Sequence, residues 1–333
     1  MVGAIVVAAA LLTPQETELK GQLPGIFARS AAQYRALDAA ATPLRKGKMA
    51  TRKDGPSSDL CVPHGWNAKT GALDMRSVFW WTSGHFPGSL WYLYEATGEA
   101  FFRDRARDWT DLLAPNAQVD DNHDVGFIMY CSYGNARRLL KTTQYDALLL
   151  ETAASLSRRF NPDLGLIRSW GRKDDRKTFK VIPDNLMNLE LLEFAAKNGG
   201  GARFDEIARA QKRADFAIRH PHMPADGVPY WDYGAPGEER DTSAASIMAS
   251  GLLELAGFAG GEKGAAYRAF AVKQLLALAS PAYFAAPGAN GNWLLLHGVG
   301  HKPGNSEIDV PLDYGDYYFL EALLRFQRLV GAN

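Results

Sequence analysis

Apolar residues recur every three to four positions along almost the whole chain, and this periodicity constrains the fold more than any other sequence feature. Such spacing places apolar side chains on one face of an α-helix, whereas the alternation typical of strands is scarce here. The predicted helices are Gln15–Leu37, Gly88–Ala96, Ala100–Leu113, Val125–Leu140, Gln144–Arg159, Leu186–Lys197, Phe204–Arg219, Ser243–Ala259, Glu262–Leu278 and Asp316–Val330. The sequence therefore predicts an all-α protein.

The connections between the predicted helices alternate between short and long. Short ones such as "ATGEA" and "LKTTQ" are typical of tight helix–helix turns. The long ones carry Gly, Pro, Trp, His and Asp; they are Ala40–Phe79, Asn161–Pro183, Pro221–Thr242 and Ser280–Gly315. This alternation predicts a ring of helical hairpins with the long loops at one end, where sites are usually built. Because no stretch resembles an interdomain linker, residues 15–333 are predicted to form one domain.

Charge and composition exclude several classes of protein. The 37 basic side chains match the 37 acidic ones, which argues against a nucleic-acid partner, since such proteins carry a basic excess. Two cysteines, Cys61 and Cys131, are too few for a disulfide framework or a zinc site and are predicted to be buried. No segment is predicted to span a membrane.

The first fourteen residues form a separate feature. The apolar run Val2–Leu12 has the length of a signal-peptide core but lacks a basic segment before it. We interpret residues 1–14 as the remnant of an export signal. This interpretation predicts a periplasmic or secreted protein, with the cytoplasm as the alternative.

Polar and aromatic residues cluster at three helix starts. The stretches are "FWWTSGHFPGSLWYLYEATGE", "VDDNHDVGFIMYCSYGNA" and "KVIPDNLMNLELLEF", the last preceded by "IRSWGRKD". The candidate functional residues in them are Trp81, His123, Asp124, Arg168, Trp170, Asp184, Asn185 and Asn188. A single Asp before a helix is most often a cap. Recurrence of such clusters at successive helix starts favours a functional site.

The same strings resemble glycoside hydrolase family 88, the unsaturated glucuronyl hydrolases. The resemblance runs from about Leu60 to Arg328 and includes "WTSGHFPGSLWYLYEATGE", "HDVGF", "RSWG", "IPDNLMNLELL" and "DTSAASIMASGLLEL" in the family's order. It implies an (α/α)6 barrel, in agreement with the ring of hairpins. It also implies removal of a 4,5-unsaturated uronic acid from oligosaccharides that polysaccharide lyases release.

In that family a carboxylic acid protonates C4 of the unsaturated sugar and water then adds at C5, so one group serves as both acid and base. By resemblance, Asp184 matches the acid/base and Asp124 the second essential carboxylate. The implied pocket residues are Trp81, His123, Trp170, Asn185, Asn188 and Arg168, with Ser306 as a hydroxyl donor from the loop "GHKPGNSEID". No cofactor or metal is expected, although Glu307 and Asp309 in that loop could hold a cation.

The chain departs from the family in two ways. Trp80 and His85 differ from the usual Asp-Trp-Thr-Ser-Gly-Phe pattern. By comparison with the family, about one hairpin, including an Arg-bearing segment that helps hold the substrate, is missing, and the helices predicted to flank the gap are Leu186–Lys197 and Phe204–Arg219. We therefore expect a barrel reduced by one hairpin, weak substrate binding, and a gap closed by flanking helices or by a second copy of the chain.

Three alternatives remain open from the sequence. One is an unsaturated rhamnogalacturonyl hydrolase, a related enzyme on the same barrel, although "HDVGF" favours the first assignment. Another is a non-catalytic glycan-binding protein, which the missing Arg-bearing segment favours and the retention of Asp124 and Asp184 opposes. The last is a structural helical scaffold, which would not need Trp, His and Asp at successive loops.

Overall fold

The structure is a computed structural model that describes residues 12–47, 58–67, 69–169, 171, 179–210, 223–232 and 237–331. Its α-helices are α1 Pro14–Ala41, α2 His85–Thr97, α3 Ala100–Thr110, α4 Val125–Met129, α5 Asn135–Leu140, α6 Asp146–Ser157, α7 Leu189–Lys197, α8 Ala202–Ala210, α9 Thr242–Ala259, α10 Gly261–Leu278 and α11 Asp313–Leu329. The all-α prediction is thus confirmed. Most of the predicted export signal, residues 1–11, lies outside the described residues.

Helix α1 begins where its sequence dictates. The Thr13 hydroxyl oxygen accepts the backbone N–H of Glu16 at 3.2 Å, and the Glu16 carboxylate accepts the backbone N–H of Thr13 at 2.7 Å. This reciprocal pair satisfies two backbone donors at the helix end. Pro14 occupies the first helical position, where a missing N–H costs nothing.

Consecutive helices pack as pairs, and further helix–helix contacts join these pairs. The pairs α2–α3, α7–α8 and α9–α10 are in contact, while α11 packs against both α2 and α9. On the other side, α4 contacts α6 and α7. Gly88 on α2 permits one of these close approaches, because a Cβ there would lie 2.4 Å from the Tyr317 ring and 2.8 Å from the Cys131 carbonyl oxygen.

Large aromatic side chains fill the space between the helices. Trp91, Trp109, Trp293, Phe86 and Phe319 are fully buried. Both cysteines are buried and unpaired, as predicted. The core is therefore continuous around the ring, and the ends of the helices are left to form sites.

The helix predicted over Val125–Leu140 is divided in the structure. Between α4 and α5 the chain widens into a π-turn, Tyr130–Gly134, and the Ser132 hydroxyl donates to the Ile128 carbonyl at 2.7 Å. Gly84 lies directly against that same carbonyl, since a Cβ on it would come within 2.0 Å of the oxygen. Turns of this kind are frequent at functional sites, and this one directly follows the helix start at Asp124.

The long loops contain the strands. Three antiparallel pairs occur in the described residues: β1 Cys61–Asn67 with β2 Ala72–Ser77, β3 Phe160–Asn161 with β4 Leu166–Ile167, and β5 Gly298–His301 with β6 Ser306–Val310. Each pair is too short to stand alone and rests on the helical ring. The β5–β6 hairpin contacts β1, which joins two loops that are far apart in the sequence.

Helix α9 has an apolar face that is only partly covered. Of the residues between α8 and α9, those described, 223–232 and 237–241, contain no helix. On α9 itself Leu255 is 46% exposed and Phe258 is 82% exposed. Among the described helices, α9 alone is long and apolar enough to cross a membrane by length and composition. Its packing against α10 and α11 makes it a helix of the ring, one of whose faces is only partly covered.

Candidate active site

Two carboxylates from different helix starts meet at one end of the ring. Asp124 directly precedes α4, and Asp184 lies in a 3-10 turn, Pro183–Asn188, that leads into α7. The packing of α4 on α7 brings them to either side of His123. The His123 Nε2 atom is 3.0 Å from Asp124 Oδ1 and 3.9 Å from Asp184 Oδ2.

Asn185 fixes the protonation of His123. The Asn185 amide donates through Nδ2 to the Ile167 carbonyl at 2.9 Å and to Ser169 Oγ at 2.7 Å. Its Oδ1 therefore faces His123 Nδ1, at 2.9 Å, and accepts a proton from it. With Nδ1 protonated, Nε2 can approach the Asp124 carboxylate at 3.0 Å only by donating a second proton.

Without a bound metal ion, these partners favour an imidazolium, held between an amide and a carboxylate. Burial opposes its charge, but the hydrogen bond and charge of Asp124 outweigh burial and raise the pKa of His123. The side chain is 1% exposed. The sequence analysis treated His123 as part of the pocket lining, whereas the structure gives it the charge that lies between the two acids.

Asp184 is the acid that faces the solvent. Its side chain is 30% exposed, yet its Oδ1 atom is buried and accepts no hydrogen bond. Burial raises the pKa of Asp184 to about 6; the His123 imidazolium lowers it and the Asp124 charge raises it by smaller amounts. Because α7 begins only at Leu189, Asp184 does not act as its cap. The local arrangement favours a proton on Asp184 instead.

Asn188 links the two helix starts. Its Oδ1 accepts the backbone N–H of Phe127 at 3.1 Å. A side chain on Gly126 would place Cβ 2.1 Å from that oxygen, so only glycine permits the contact. Asn185 and Asn188 are both fully buried. Asn185 supports His123 and Asn188 supports the start of α4; their predicted role in binding the substrate stays a prediction.

Trp81 supplies an aromatic wall next to these acids. Its half-buried ring lies 5.1 Å from the Tyr314 ring and 6.4 Å edge-on from the Phe127 ring. Phe127 is also the residue whose backbone Asn188 holds. Trp81 therefore shares supports with the carboxylates, as expected for a residue of the same site.

The other predicted pocket residues either make different contacts or cannot be placed. The Arg168 guanidinium carbon lies 4.5 Å over the Phe179 ring, and the residue is 5% exposed. Ser306 is exposed on β6 and lines a cavity of about 720 Å³ that is not lined by Asp124, His123 or Asp184. Trp170 lies outside the described residues. Roles for these three stay predictions.

His85, one of the departures from the family pattern, is a core residue. It is fully buried among the rings of Phe127, Tyr314 and Tyr317. Its Nδ1 atom donates to the Thr82 carbonyl at 3.0 Å, and burial lowers its pKa. His85 is therefore a neutral imidazole that packs among aromatic side chains.

The sequence analysis missed a second polar group, formed by His64, Thr82, Glu307 and Asp313. His64 contacts all three of the others, and Asp313 is the first residue of α11. The string "DYGDYYF" could have indicated this group, because it places an Asp at a helix start as in the other clusters. His64 itself had no recognisable pattern around it.

The geometry of the acids also suits a small cation, because ligand atoms of His123, Asp124 and Asp184 all lie within 4.8 Å of one another. The sequence analysis expected no metal. The Nδ1–H donated to Asn185 is the usual support for a metal-bound histidine as well as for an imidazolium. The effect of a chelator on activity distinguishes a metal-bound His123 from an imidazolium.

Comparison with known proteins gives a consistent set of relatives. The chain is 33% identical over 325 residues to an unsaturated glucuronyl hydrolase of Formosa agariphila, covering 75% of this chain and 80% of the relative. It is 26% identical over 327 residues to an unsaturated chondroitin disaccharide hydrolase of Streptococcus pyogenes, with 74% and 81% covered. No protein-family model matches.

A solved structure is also similar. The crystal structure of an unsaturated glucuronyl hydrolase specific for heparin superimposes with a TM-score of 0.79 at 31% identity, covering 91% of this chain and 97% of that one. The alignment with the Formosa agariphila enzyme includes positions that this chain lacks, and the predicted missing hairpin stays a prediction. Since 75% of 333 residues is about 250, roughly 75 of the 325 aligned positions have no counterpart here.

Proposed function

The chain belongs to the unsaturated glucuronyl hydrolases, a family of glycoside hydrolases, and from this we propose that it removes the 4,5-unsaturated uronic acid from the non-reducing end of lyase-generated oligosaccharides. The observation that best supports this activity is Asp184. It is a partly exposed carboxyl group whose pKa is raised to about 6, next to an imidazolium and a second carboxylate. Such a group can release and recover a proton near neutral pH.

The proposed chemistry uses each of these charges. The C4=C5 bond of the substrate is an enol ether, so a proton from Asp184 to C4 leaves positive charge at C5 and the ring oxygen. The ionised Asp184 then takes a proton from the water that adds at C5. The resulting hemiketal opens and releases the neighbouring sugar. Atoms and charge balance, because Asp184 ends the cycle protonated.

The charges of Asp124 and His123 stay the same while Asp184 releases and recovers its proton. The Asp124 carboxylate and the His123 imidazolium form a neutral pair at 3.0 Å, so Asp184 alone changes charge during the reaction. A buried ion pair that is already oriented costs little reorganisation when charge develops nearby. We assign Asp124 to stabilising positive charge at C5 and Trp81 to packing against the apolar face of the sugar, with Arg168, Trp170 and Ser306 as further substrate contacts.

Turnover on a panel of substrates tests the function. Loss of the ultraviolet absorbance of the C4=C5 bond is expected with unsaturated disaccharides from chondroitin, hyaluronan or heparin. Dialysis against EDTA should leave the rate unchanged, whereas an EDTA-sensitive rate restored by a divalent cation would assign the acid cluster to a metal. Binding without turnover would support the glycan-binding alternative. Turnover restricted to unsaturated rhamnogalacturonan products would support the related hydrolase.

The activity should fall as pH rises through about 6. The general acid must be protonated, and above its pKa the protonated fraction of Asp184 decreases tenfold per pH unit. We expect kcat/KM at pH 8 to be about a hundredfold below its plateau. The measurement is a pH–rate profile in one constant-ionic-strength buffer series. A flat profile from pH 5 to 8 would contradict the assignment of Asp184.

Self-association remains a proposal that follows from the reduced ring. Phe258 and Leu255 give α9 an exposed apolar face beside the missing hairpin, and soluble monomers seldom leave such faces bare. If a second copy covers it, sedimentation should show a dimer that Phe258→Glu converts to a monomer. Leu164→Glu, which changes an exposed residue in the turn between β3 and β4, should have no effect. A monomeric parent would refute this proposal.

No nucleic-acid or membrane partner is proposed, because the net charge is zero and α9 is part of the ring. A periplasmic or secreted location stays a prediction from residues 1–14. Fractionation of the producing cells would test it.

A further inference from the structure

His64 occupies a junction of four segments that the proposed chemistry does not use. It lies on β1 and is 1% exposed. Its Nδ1 atom is 2.9 Å from Thr82 Oγ1 and 3.4 Å from Asp313 Oδ1, and its Nε2 atom is 3.0 Å from Glu307 Oε1. One side chain thus contacts the loop before α2, the first turn of α11 and the β5–β6 hairpin.

The partners of His64 favour a charged ring. A carboxylate oxygen can only accept, so Nε2 carries a proton toward Glu307. The negative charge of Asp313, 3.4 Å from Nδ1, favours a second proton on that nitrogen. Asp313 is fully buried, and its Oδ2 atom has no hydrogen-bond partner. The imidazolium is therefore the counter-ion of a buried carboxylate, and losing its proton would leave that carboxylate uncompensated.

Other charged or titratable groups surround the junction and influence this equilibrium. They are Asp313 on α11, Glu307 on β6, Arg76 on β2 and His85 on α2. Burial opposes the charge on His64, but Asp313 and Glu307 outweigh burial and raise its pKa to about 9. Arg76, 4.0 Å from Glu307, and the neutral His85 do not reverse that balance.

The junction is connected to the aromatic wall of the proposed site on both sides. Thr82 directly follows Trp81, and Asp313 directly precedes Tyr314, the residue whose ring lies 5.1 Å from that of Trp81. His64 therefore contacts the side chain of the residue next to each of these two rings. Glu307 adopts a left-handed conformation, with φ of +55°, which places its carboxylate against His64.

We infer that His64 is a positioning residue whose imidazolium fastens the Trp81 loop and the β5–β6 hairpin to the start of α11, so that the sugar-binding wall forms only while His64 is charged. This inference rests on the proposed function, in which Trp81 packs against the substrate. His64 itself touches no reacting atom. It acts through Thr82, Asp313 and Glu307.

The positioning role is tested by measuring substrate binding in a variant that cannot turn the substrate over. In an Asp184→Asn background, calorimetry with an unsaturated disaccharide gives the Kd at pH 7.5 and pH 9.5. We expect binding to weaken about fourfold between these values, because the imidazolium loses its proton as pH rises through about 9 and about three quarters of His64 is neutral at pH 9.5. With His64→Gln added, binding should be weak at both pH values and independent of pH. His297→Gln, which removes an exposed His–Asp309 pair on the same hairpin, should keep the parent behaviour.

A second variant tests whether misfolding, and not loss of the His64 contacts, explains weak binding. His64→Gln alone leaves Asp313 buried without a counter-ion, whereas His64→Gln with Asp313→Asn removes both charges and should fold. This double variant should also bind weakly and without pH dependence. NMR titration of the parent, assigned by comparison with His64→Gln, should place the His64 pKa near 9 without any substrate.

The outcomes separate the two proposals. If no unsaturated disaccharide binds or turns over, the proposed function fails while the NMR titration still tests the charge on His64. If substrate binds equally at both pH values, or if His64 titrates near its ordinary value of 6.5, the positioning role is refuted and the proposed function stands.

Discussion

Asp184→Asn should reduce turnover by at least a hundredfold while leaving the protein folded. The amide has the same shape but cannot release a proton to C4 or take one from water, and such proton transfer contributes about 10²–10⁴-fold. The Asp184 Oδ1 atom has no hydrogen-bond partner to lose. The measurement is the initial rate of absorbance loss at pH 6, with circular dichroism to check the fold.

The same substitution should not lower stability at neutral pH. Because the folded pKa of Asp184 is raised from 3.8 to about 6, its carboxyl group favours folding below pH 3.8, and that contribution is lost as pH rises through 6. At pH 8 the ionised carboxylate costs about 1–2 kcal/mol after allowance for its partial exposure.

The variant should therefore melt at or above the parent temperature at pH 8. Asp163→Asn, an exposed residue in the turn between β3 and β4, is the matched control and should change neither rate nor melting. Residual turnover above about one hundredth of the parent rate would remove Asp184 from the acid/base role.

Asp124→Asn should cost about a hundredfold in turnover, by a different route. Asp124 is the counter-ion of His123 at 3.0 Å and is assigned to stabilising positive charge at C5. Removing one preorganised electrostatic contact of this kind typically costs about 10²–10³ in kcat. Binding of an unsaturated disaccharide should change little, because the substituted side chain is nearly buried behind His123.

The pH profile distinguishes this route from simple misfolding. Without Asp124 the pKa of His123 should fall, and a neutral His123 no longer lowers the pKa of Asp184. Since His123 influences Asp184 more strongly than Asp124 does, the alkaline limb should move to higher pH. A limb that moves to lower pH, or does not move, would show that the three groups are not coupled as described.

Much of this site could be predicted because helix starts carry a local signal. Asp124 and Asp184 each stand in a polar string ahead of an apolar helix, and both strings resemble a known family. The ring of helices followed from the periodicity of apolar residues, which reflects burial of one face of each helix. Helix ends were less well predicted, as at α7, which begins at Leu189 after a 3-10 turn.

The roles of the buried polar residues could not be predicted, because these roles depend on contacts between segments that are far apart in the sequence. Sequence alone placed Asn185 and Asn188 in the pocket, but it could not show that both are fully buried or that they hold His123 and the Phe127 backbone. The π-turn at Tyr130–Gly134 arises where glycines on and before α2 press against the α4–α5 segment. His64 gained its partners only when β1, β6 and α11 came together.

The contact between Asn188 and the Phe127 backbone also bears on how the enzyme is assembled. It joins residues 61 positions apart, and forming a contact across such a span costs chain entropy that no single hairpin recovers. Native-like helices formed early in folding would therefore lack the acid pair. Catalytic competence should arise only once α4 and α7 have packed together, which makes enzymatic activity a reporter of that packing and not of helical content.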